Sequence, residues 1–316
     1  MRRILVTGAS GFIGQHLVQY LINHNFEVTV VIRKENNFFP SNVTQFIIKD
    51  IGFDSNWAVA LKNIECVIHL AGRAHVLNDK NSDPLTEFRR VNTAGTINLA
   101  HQAIKQGIKR FIFISSIGVN GNINNKPFTV NDIPNPIEPY AVSKYEAELE
   151  LQKLTNDSKM KTVIIRPPLV YGSNAPGNFA RLIKIINKGI PLPLGSINNK
   201  RSLVALDNLI DLITTCINHP SAKNETFLVS DDEDLSTTDL LHRMAVALGK
   251  PSRLLPIPSS LLNIGATLLG KKEVAQRLCG SLQVDIKHTK KTLDWKPPVS
   301  IDEALKKTAD AFIEGK

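Results

Sequence analysis

Apolar positions in the first half of the chain gather in short runs divided by longer stretches of helical period. The runs Ile4-Leu5-Val6, Val28-Thr29-Val30-Val31-Ile32, Gln45-Phe46-Ile47-Ile48, Cys66-Val67-Ile68-His69-Leu70 and Arg110-Phe111-Ile112-Phe113-Ile114 read as strands, and Val163-Ile164-Ile165 as a later one. Helical periodicity marks Gln15-His16-Leu17-Val18 and the stretches from Thr93 to Lys105 and from Tyr140 to Leu154. Strands and helices alternating with short loops predict an α/β, doubly wound (Rossmann) parallel sheet with helices on both faces. Beyond Arg166 the pattern changes to proline pairs, short apolar runs and isolated helices. The expected division is a first domain over 1–166 and a smaller C-terminal lobe over 167–316, laid across the carboxyl ends of the strands, with segments returning to the core.

Directly after the first strand stands Thr7-Gly8-Ala9-Ser10-Gly11-Phe12-Ile13-Gly14. A buried strand, a glycine-rich turn and a helix in that order predict a dinucleotide site. Gly8 allows the tight turn, Gly11 lets the backbone approach a pyrophosphate, and Gly14 lets helix and strand pack closely. Ser10, Phe12 and Ile13 share the turn, and the helix brings unpaired N–H groups and a positive dipole end to the phosphates. The first domain is thus expected to hold the cofactor.

Composition narrows the classes. With 316 residues, 42% apolar and 21% charged, the chain has the balance of a globular enzyme. No segment approaches the ~20 apolar residues of a membrane span, and the start Met1-Arg2-Arg3 is followed by too few apolar residues for a secretory signal, so a cytoplasmic protein is expected. Cys66, Cys216 and Cys279 lie far apart without metal-ligand spacing, and are expected as core thiols. The acidic run Asp231-Asp232-Glu233-Asp234 reads as a turn and first helix end, so no metal is expected. A net charge of +9 is spread along the chain, which suits anionic nucleotide ligands better than nucleic acid.

The chemistry-bearing residues follow the fifth strand. Ser115 and Ser116 close it, and Tyr140 and Lys144 stand four residues apart, hence on one helix face. A lysine cation near a phenol favours the phenolate and lowers its pKa, so Tyr140 is expected to trade a proton with an alcohol or carbonyl. Ser116 can hydrogen-bond the same oxygen, and Lys144 can also hold the nicotinamide ribose. His69, between apolar neighbours, reads as a packing histidine.

On these residues the chain resembles the extended short-chain dehydrogenase/reductases of the nucleotide-sugar epimerase, dehydratase and ketoreductase group. The landmarks are residues 7–14, His69-Leu70-Ala71-Gly72, Val91-Asn92-Thr93-Ala94-Gly95-Thr96, Phe113-Ile114-Ser115-Ser116, Tyr140 with Lys144, and Leu293-Asp294-Trp295-Lys296-Pro297. The resemblance implies Ser116, Tyr140 and Lys144 as the catalytic set. It implies a cofactor lying along Leu70, Ala71 and Gly72, with Asp50 and Ile51 at the adenine and Asn92 and Pro167 nearby; Asn92 is either a helix-distorting or relay residue or a buried hydrogen-bonder. Members with NAD usually end the second strand with a carboxylate. Here Ile32 is followed by Arg33 and Lys34, cations that suit a 2′-phosphate, so NADP is expected over NAD.

In the second lobe Asn178, Arg201 and Arg277 resemble residues that hold a nucleotide diphosphate. Arg73 and His75 lie close enough to the cofactor turn in sequence to touch substrate. Ile117-Gly118-Val119-Asn120-Gly121 and Leu169 depart from the family's usual substrate contacts, and no dehydratase-type acidic pair follows Ser116. The resemblance implies an NAD(P)-dependent oxidoreductase acting at C4 of a UDP-sugar, first a 4-ketoreductase forming a UDP-6-deoxy-N-acetylhexosamine for surface polysaccharide. The alternatives are a UDP-glucose or UDP-N-acetylglucosamine 4-epimerase with retained NAD, and a dinucleotide sensor without turnover. It further implies a homodimer paired through the helices at Thr93–Lys105 and Tyr140–Leu154.

Overall fold

The computed structural model describes residues 2–35, 38–74, 83–268, 270 and 272–315. His75 lies outside the described residues. Strands β1 (Arg3–Thr7), β2 (Glu27–Ile32), β3 (Thr44–Ile47), β4 (Cys66–His69), β5 (Arg110–Ile114), β6 (Lys161–Arg166), β7 (Leu169–Tyr171), β8 (Arg201–Ala205), β9 (Glu225–Leu228) and β10 (Asp234–Leu235) build two sheets. The larger runs β3-β2-β1-β4-β5-β6-β9 with every neighbour parallel. The strand order reverses between β1 and β4, which opens a crevice at their carboxyl ends.

Alternation along the strands sends side chains into two cores. Ile4, Val6, Cys66, Ile68, Ile112 and Ile114 enter one, while Leu5, Val67, Phe111 and Phe113 enter the other. Helix α1 (Phe12–Asn23) packs on the first face; α2 (Pro84–Phe88) packs on α4 (Pro139–Asn156), which covers the second face together with α3 (Gly95–Lys105). The helix expected from Thr93 starts earlier. Asp83 caps α2 through Thr86 N at 3.3 Å with Pro84 at the first position, and a π-helical stretch, Arg89–Ala94, carries it into α3. Pro139 likewise starts α4 one residue before Tyr140, since its missing N–H costs nothing at that position.

The second sheet has order β10-β8-β7 and a core of its own with α5 (Asn178–Asn187), α7 (Thr237–Ala247) and α11 (Ile301–Glu314). Capping boxes Ser236–Asp239 and Ser300–Glu303 start the last two. Between them, α6 (Leu206–Asn218) packs against α1 and β5, and β9 pairs with β6. Helices α8 (Ser259–Leu268), α9 (Lys272–Cys279) and α10 (Lys287–Leu293) follow. Leu282, Val284, Ile286, Leu293 and Trp295 return to the first core, where Trp295 Nε1 donates to Asp211 at 2.7 Å.

The acidic run differs from the sequence reading. Asp232 turns in the left-handed region and Asp234 begins β10, while α7 starts later at Thr237. Asp231 is buried, accepting from Ala205 N, Asn208 Nδ2 and the Tyr171 hydroxyl, so it braces β8, α6 and β7. Cys66 and Cys216 are buried as expected, whereas Cys279 is half-exposed at the end of α9.

Candidate active site

The turn between β1 and α1 is tight because two glycines have no room for a side chain. Gly8 has φ +68°, and a Cβ there would meet Ala71 N at 2.7 Å; one on Gly14 would lie 2.2 Å from Gly8 O. The α1 entry is thus pressed against the end of β4, with Ser10 and Gly11 exposed and Gly11 as N-cap without side-chain help. Uncapped N–H groups beside an open glycine backbone fit a pyrophosphate.

Across the crevice, α4 brings its catalytic candidates to the ends of β4 and β5. Lys144 is 2% exposed; its Nζ donates to Ile114 O at 2.9 Å and sits 4.4 Å from the Phe113 ring centroid. A Cβ on Gly72 would lie 3.3 Å from that Nζ and 3.0 Å from Asn92 Oδ1, so a side chain here would crowd both groups. Ser116 Oγ accepts from Gly118 N at 3.1 Å, and a Cβ on Gly118 would touch both that oxygen and Ala141 Cβ at 3.3 Å. Tyr140 is half-buried, edge-on to Phe88 with centroids 6.1 Å apart, and its hydroxyl makes no hydrogen bond among the described residues. Gly72, Asn92 and Lys144 thus converge on one side, and Ser116 with the first turn of α4 on the other.

Protonation corrects one expectation. Burial pushes the Tyr140 phenol up to about 12, whereas the sequence reading had Lys144 lowering it. The Lys144 ammonium is turned to Ile114 O and the Phe113 face, and burial pulls its own pKa down to about 8 against the opposing pull of Glu148. His69 is a core histidine, its Nδ1 2.7 Å from Thr7 Oγ1 and its Nε2 2.9 Å from Thr96 Oγ1. Burial, and then Lys144, bring it down to about 3, so the imidazole is neutral.

Asn92 combines both roles weighed for it. It lies in the π-helical stretch, and its amide accepts from Arg73 N at 2.7 Å and donates to Arg73 O at 3.1 Å and Ser143 Oγ at 3.0 Å. The widened turn places that amide where it ties the post-β4 backbone to α4, a use to which π-bulges are often put. The Arg73 guanidinium lies 5.7 Å from the Phe88 ring centroid. Sequence reasoning missed the next turn of α4. Glu148 is 1% exposed and forms an ion pair with Arg166, whose Nη1 also reaches Asn120 Oδ1 at 2.9 Å. The four-residue step from Lys144 to Glu148 was the signal available.

The remaining candidates fall in two groups. Arg33 and Lys34 are exposed past the end of β2; Asp50 pairs with Arg90 and accepts from Ile51 N at 3.0 Å, and its carboxyl is held below its ordinary value chiefly by that Arg90 hydrogen bond, with Arg33 contributing. Pro167, buried after β6, accepts from Ile117 N at 3.0 Å. On the second lobe Arg201 Nη1 donates to Arg277 O at 2.9 Å and Gly280 O at 3.0 Å, and Arg277 pairs with Glu138 at 2.9 Å. The two arginines expected at a diphosphate are therefore together, and Glu138 is the N-cap of the helix that opens with Pro139 and Tyr140. Asn178 begins α5.

Comparison with known proteins agrees with this geometry. The chain is 48% identical to UDP-glucose 4-epimerase of Vibrio cholerae over 99% of its own length and 96% of the relative's. It is 28% identical to N-acetyl-α-D-glucosaminyl-diphospho-ditrans,octacis-undecaprenol 4-epimerase of Escherichia coli O157:H7, over 89% of this chain and 87% of that one. Its fold matches UDP-N-acetylglucosamine 4-epimerase of Methanobrevibacter ruminantium M1, solved with UDP-N-acetylmuramic acid, at TM-score 0.81 and 23% identity over 100% and 99% of the two chains. Residues 4–230 match the profile of the NAD dependent epimerase/dehydratase family, and with its doubly wound sheet, glycine turn and Ser116, Tyr140 and Lys144 the chain belongs to that family.

Proposed function

We propose that this protein is a UDP-hexose 4-epimerase that keeps its dinucleotide, acting on UDP-glucose or UDP-N-acetylglucosamine and their C4 epimers. The observation that carries this reading is the 48% identity to a UDP-glucose 4-epimerase across essentially the whole chain. It weighs toward the epimerase over the 4-ketoreductase that the sequence put first, and the residues named above serve either reaction.

The glycine turn, Ala71, Gly72 and Lys144 would hold the dinucleotide, whose nicotinamide supplies a hydride acceptor and donor for C4. Tyr140 exchanges the proton of the C4 hydroxyl, with Ser116 Oγ hydrogen-bonding the same oxygen. At neutral pH the phenol is protonated and Lys144 mostly charged in this structure, so the base form of Tyr140 requires its oxygen to come under the influence of that ammonium. Arg201 and Arg277 would meet the diphosphate, since a guanidinium can engage two of its oxygens. That leaves the sugar free to present either face of C4 while the nucleotide stays fixed.

Arg33 and Lys34 favour a 2′-phosphate, while the family's name specifies NAD. Extracting the dinucleotide from purified protein and titrating the stripped protein with each form decides between them. Tighter binding of NADP upholds the role given to the two cations, and a clear preference for NAD removes it. Supplying NADPH or NADH with a UDP-4-keto-6-deoxy-N-acetylhexosamine tests the reductase, because stoichiometric oxidation of the nicotinamide is expected only of that enzyme.

A further inference from the structure

Helix α8 is built the wrong way round for a helix on a globular protein. None of its residues is buried, and Leu261, Ile264 and Leu268, spaced to share one face, are 57%, 58% and 82% exposed. Leu262 and Ala266, on the opposite side, are only half-buried, Leu262 packing against the second core. Leu255 just before the helix and Val274 in α9 are also exposed. From residue 254 to residue 270 the sequence holds no charged residue, yet Lys250 and Arg253 stand before this stretch and Lys271 and Lys272 after it, with Glu273 the one acid up to Arg277.

We propose that α8 docks on the surface of an anionic lipid bilayer, with the Leu261, Ile264 and Leu268 face in the headgroup and acyl boundary and Lys250 and Arg253 toward lipid phosphates. A contiguous apolar face on a monomer marks an interaction site. An uncharged stretch bounded at both ends by lysine and arginine complements a surface that is apolar within and negative at its rim. No helix among the described residues is long and apolar enough to cross a membrane, so α8 lies along the interface. The surface sits beside the site: α8 packs on α9, and α9 reaches the entrance to α4 through Arg277 and Glu138. Docking would therefore set the mouth of the crevice close to the headgroups.

The test is flotation of the full chain with phosphatidylcholine vesicles, with and without phosphatidylglycerol, beside a variant carrying Leu261→Ser, Ile264→Ser and Leu268→Ser. The expected result is binding to the anionic vesicles, weakened by salt and reduced at least about tenfold in the variant. The changed side chains are exposed and outside the crevice, so the variant is expected to keep the parent's melting temperature and its turnover of a soluble UDP-sugar. Failure of the parent to float, or equal flotation of parent and variant, overturns the proposal. So does light scattering in which the variant alone falls from dimer to monomer, because the face is then covered by a second copy of this chain.

Discussion

With its phenol pushed up to about 12 by burial, Tyr140 carries its proton at neutral pH, and the proposed role as base requires a cation to be brought to bear on it. Replacing Tyr140 by Phe removes the proton carrier without touching the core, and the expected loss in turnover is about 10²–10⁴-fold, with an unchanged melting temperature. A variant retaining parental turnover would show that the hydroxyl takes no part. Lys144, with a pKa near 8, loses the needed cation as pH rises, so the rate should fall above about pH 8. Stability moves the other way. Because burial lowers the folded-state pKa of this lysine below its ordinary 10.5, the unfolded chain binds more protons between about 8 and 10.5, and the contribution of Lys144 to stability rises with pH across that window. Rate and denaturant-midpoint profiles over this range check both signs. The sequence named these candidates but not their protonation: spacing on α4 puts Tyr140 and Lys144 on one face, whereas the Ile114 carbonyl that takes the ammonium belongs to another element.

At the scale of elements, the β1–α1 turn and the lower part of α4 make separate demands. Gly14→Ala would put a methyl 2.2 Å from Gly8 O, so the turn must open, and dinucleotide binding is expected to be lost in an equilibrium titration before the sheet unfolds. Glu148→Gln leaves Arg166 buried with no carboxylate, and chemical denaturation should register a loss of about 3–5 kcal/mol. Replacing Glu148 and Arg166 together by apolar residues of similar volume should restore most of that loss, since a buried pair costs about as much to desolvate as it returns. Strands β1–β6 were legible because each holds an apolar run, with alternate residues feeding two cores as Phe111 and Ile112 do, whereas the short β7–β10 were not read. The early start of the helix before Thr93 was less so. Its π-helical turn at Arg89–Ala94 reflects the hydrogen bonds of Asn92 to Arg73 and Ser143, distant partners that no local period encodes.

For the whole molecule, the chain crosses between its two sheets several times after Arg166: β9 pairs with β6, α6 packs on β5, and residues 282–295 return to the first core. Those crossings bring Arg201 and Arg277 round to the α4 entrance, so the surface proposed to hold the diphosphate is assembled by long-range packing. The sugar-facing contacts were not legible because Ile117-Gly118-Val119-Asn120-Gly121 and Leu169 depart from the family's pattern, while the glycine turn stands in the contiguous residues 7–14. The measurement closest to the central claim is chromatography of sugar nucleotides after purified protein is incubated with UDP-galactose, and separately with UDP-N-acetylgalactosamine, without added dinucleotide. Approach to a fixed ratio of C4 epimers from at least one of them is the predicted result. No interconversion of either, by protein that consumes NADPH or NADH in step with a 4-keto-6-deoxy sugar, would contradict it.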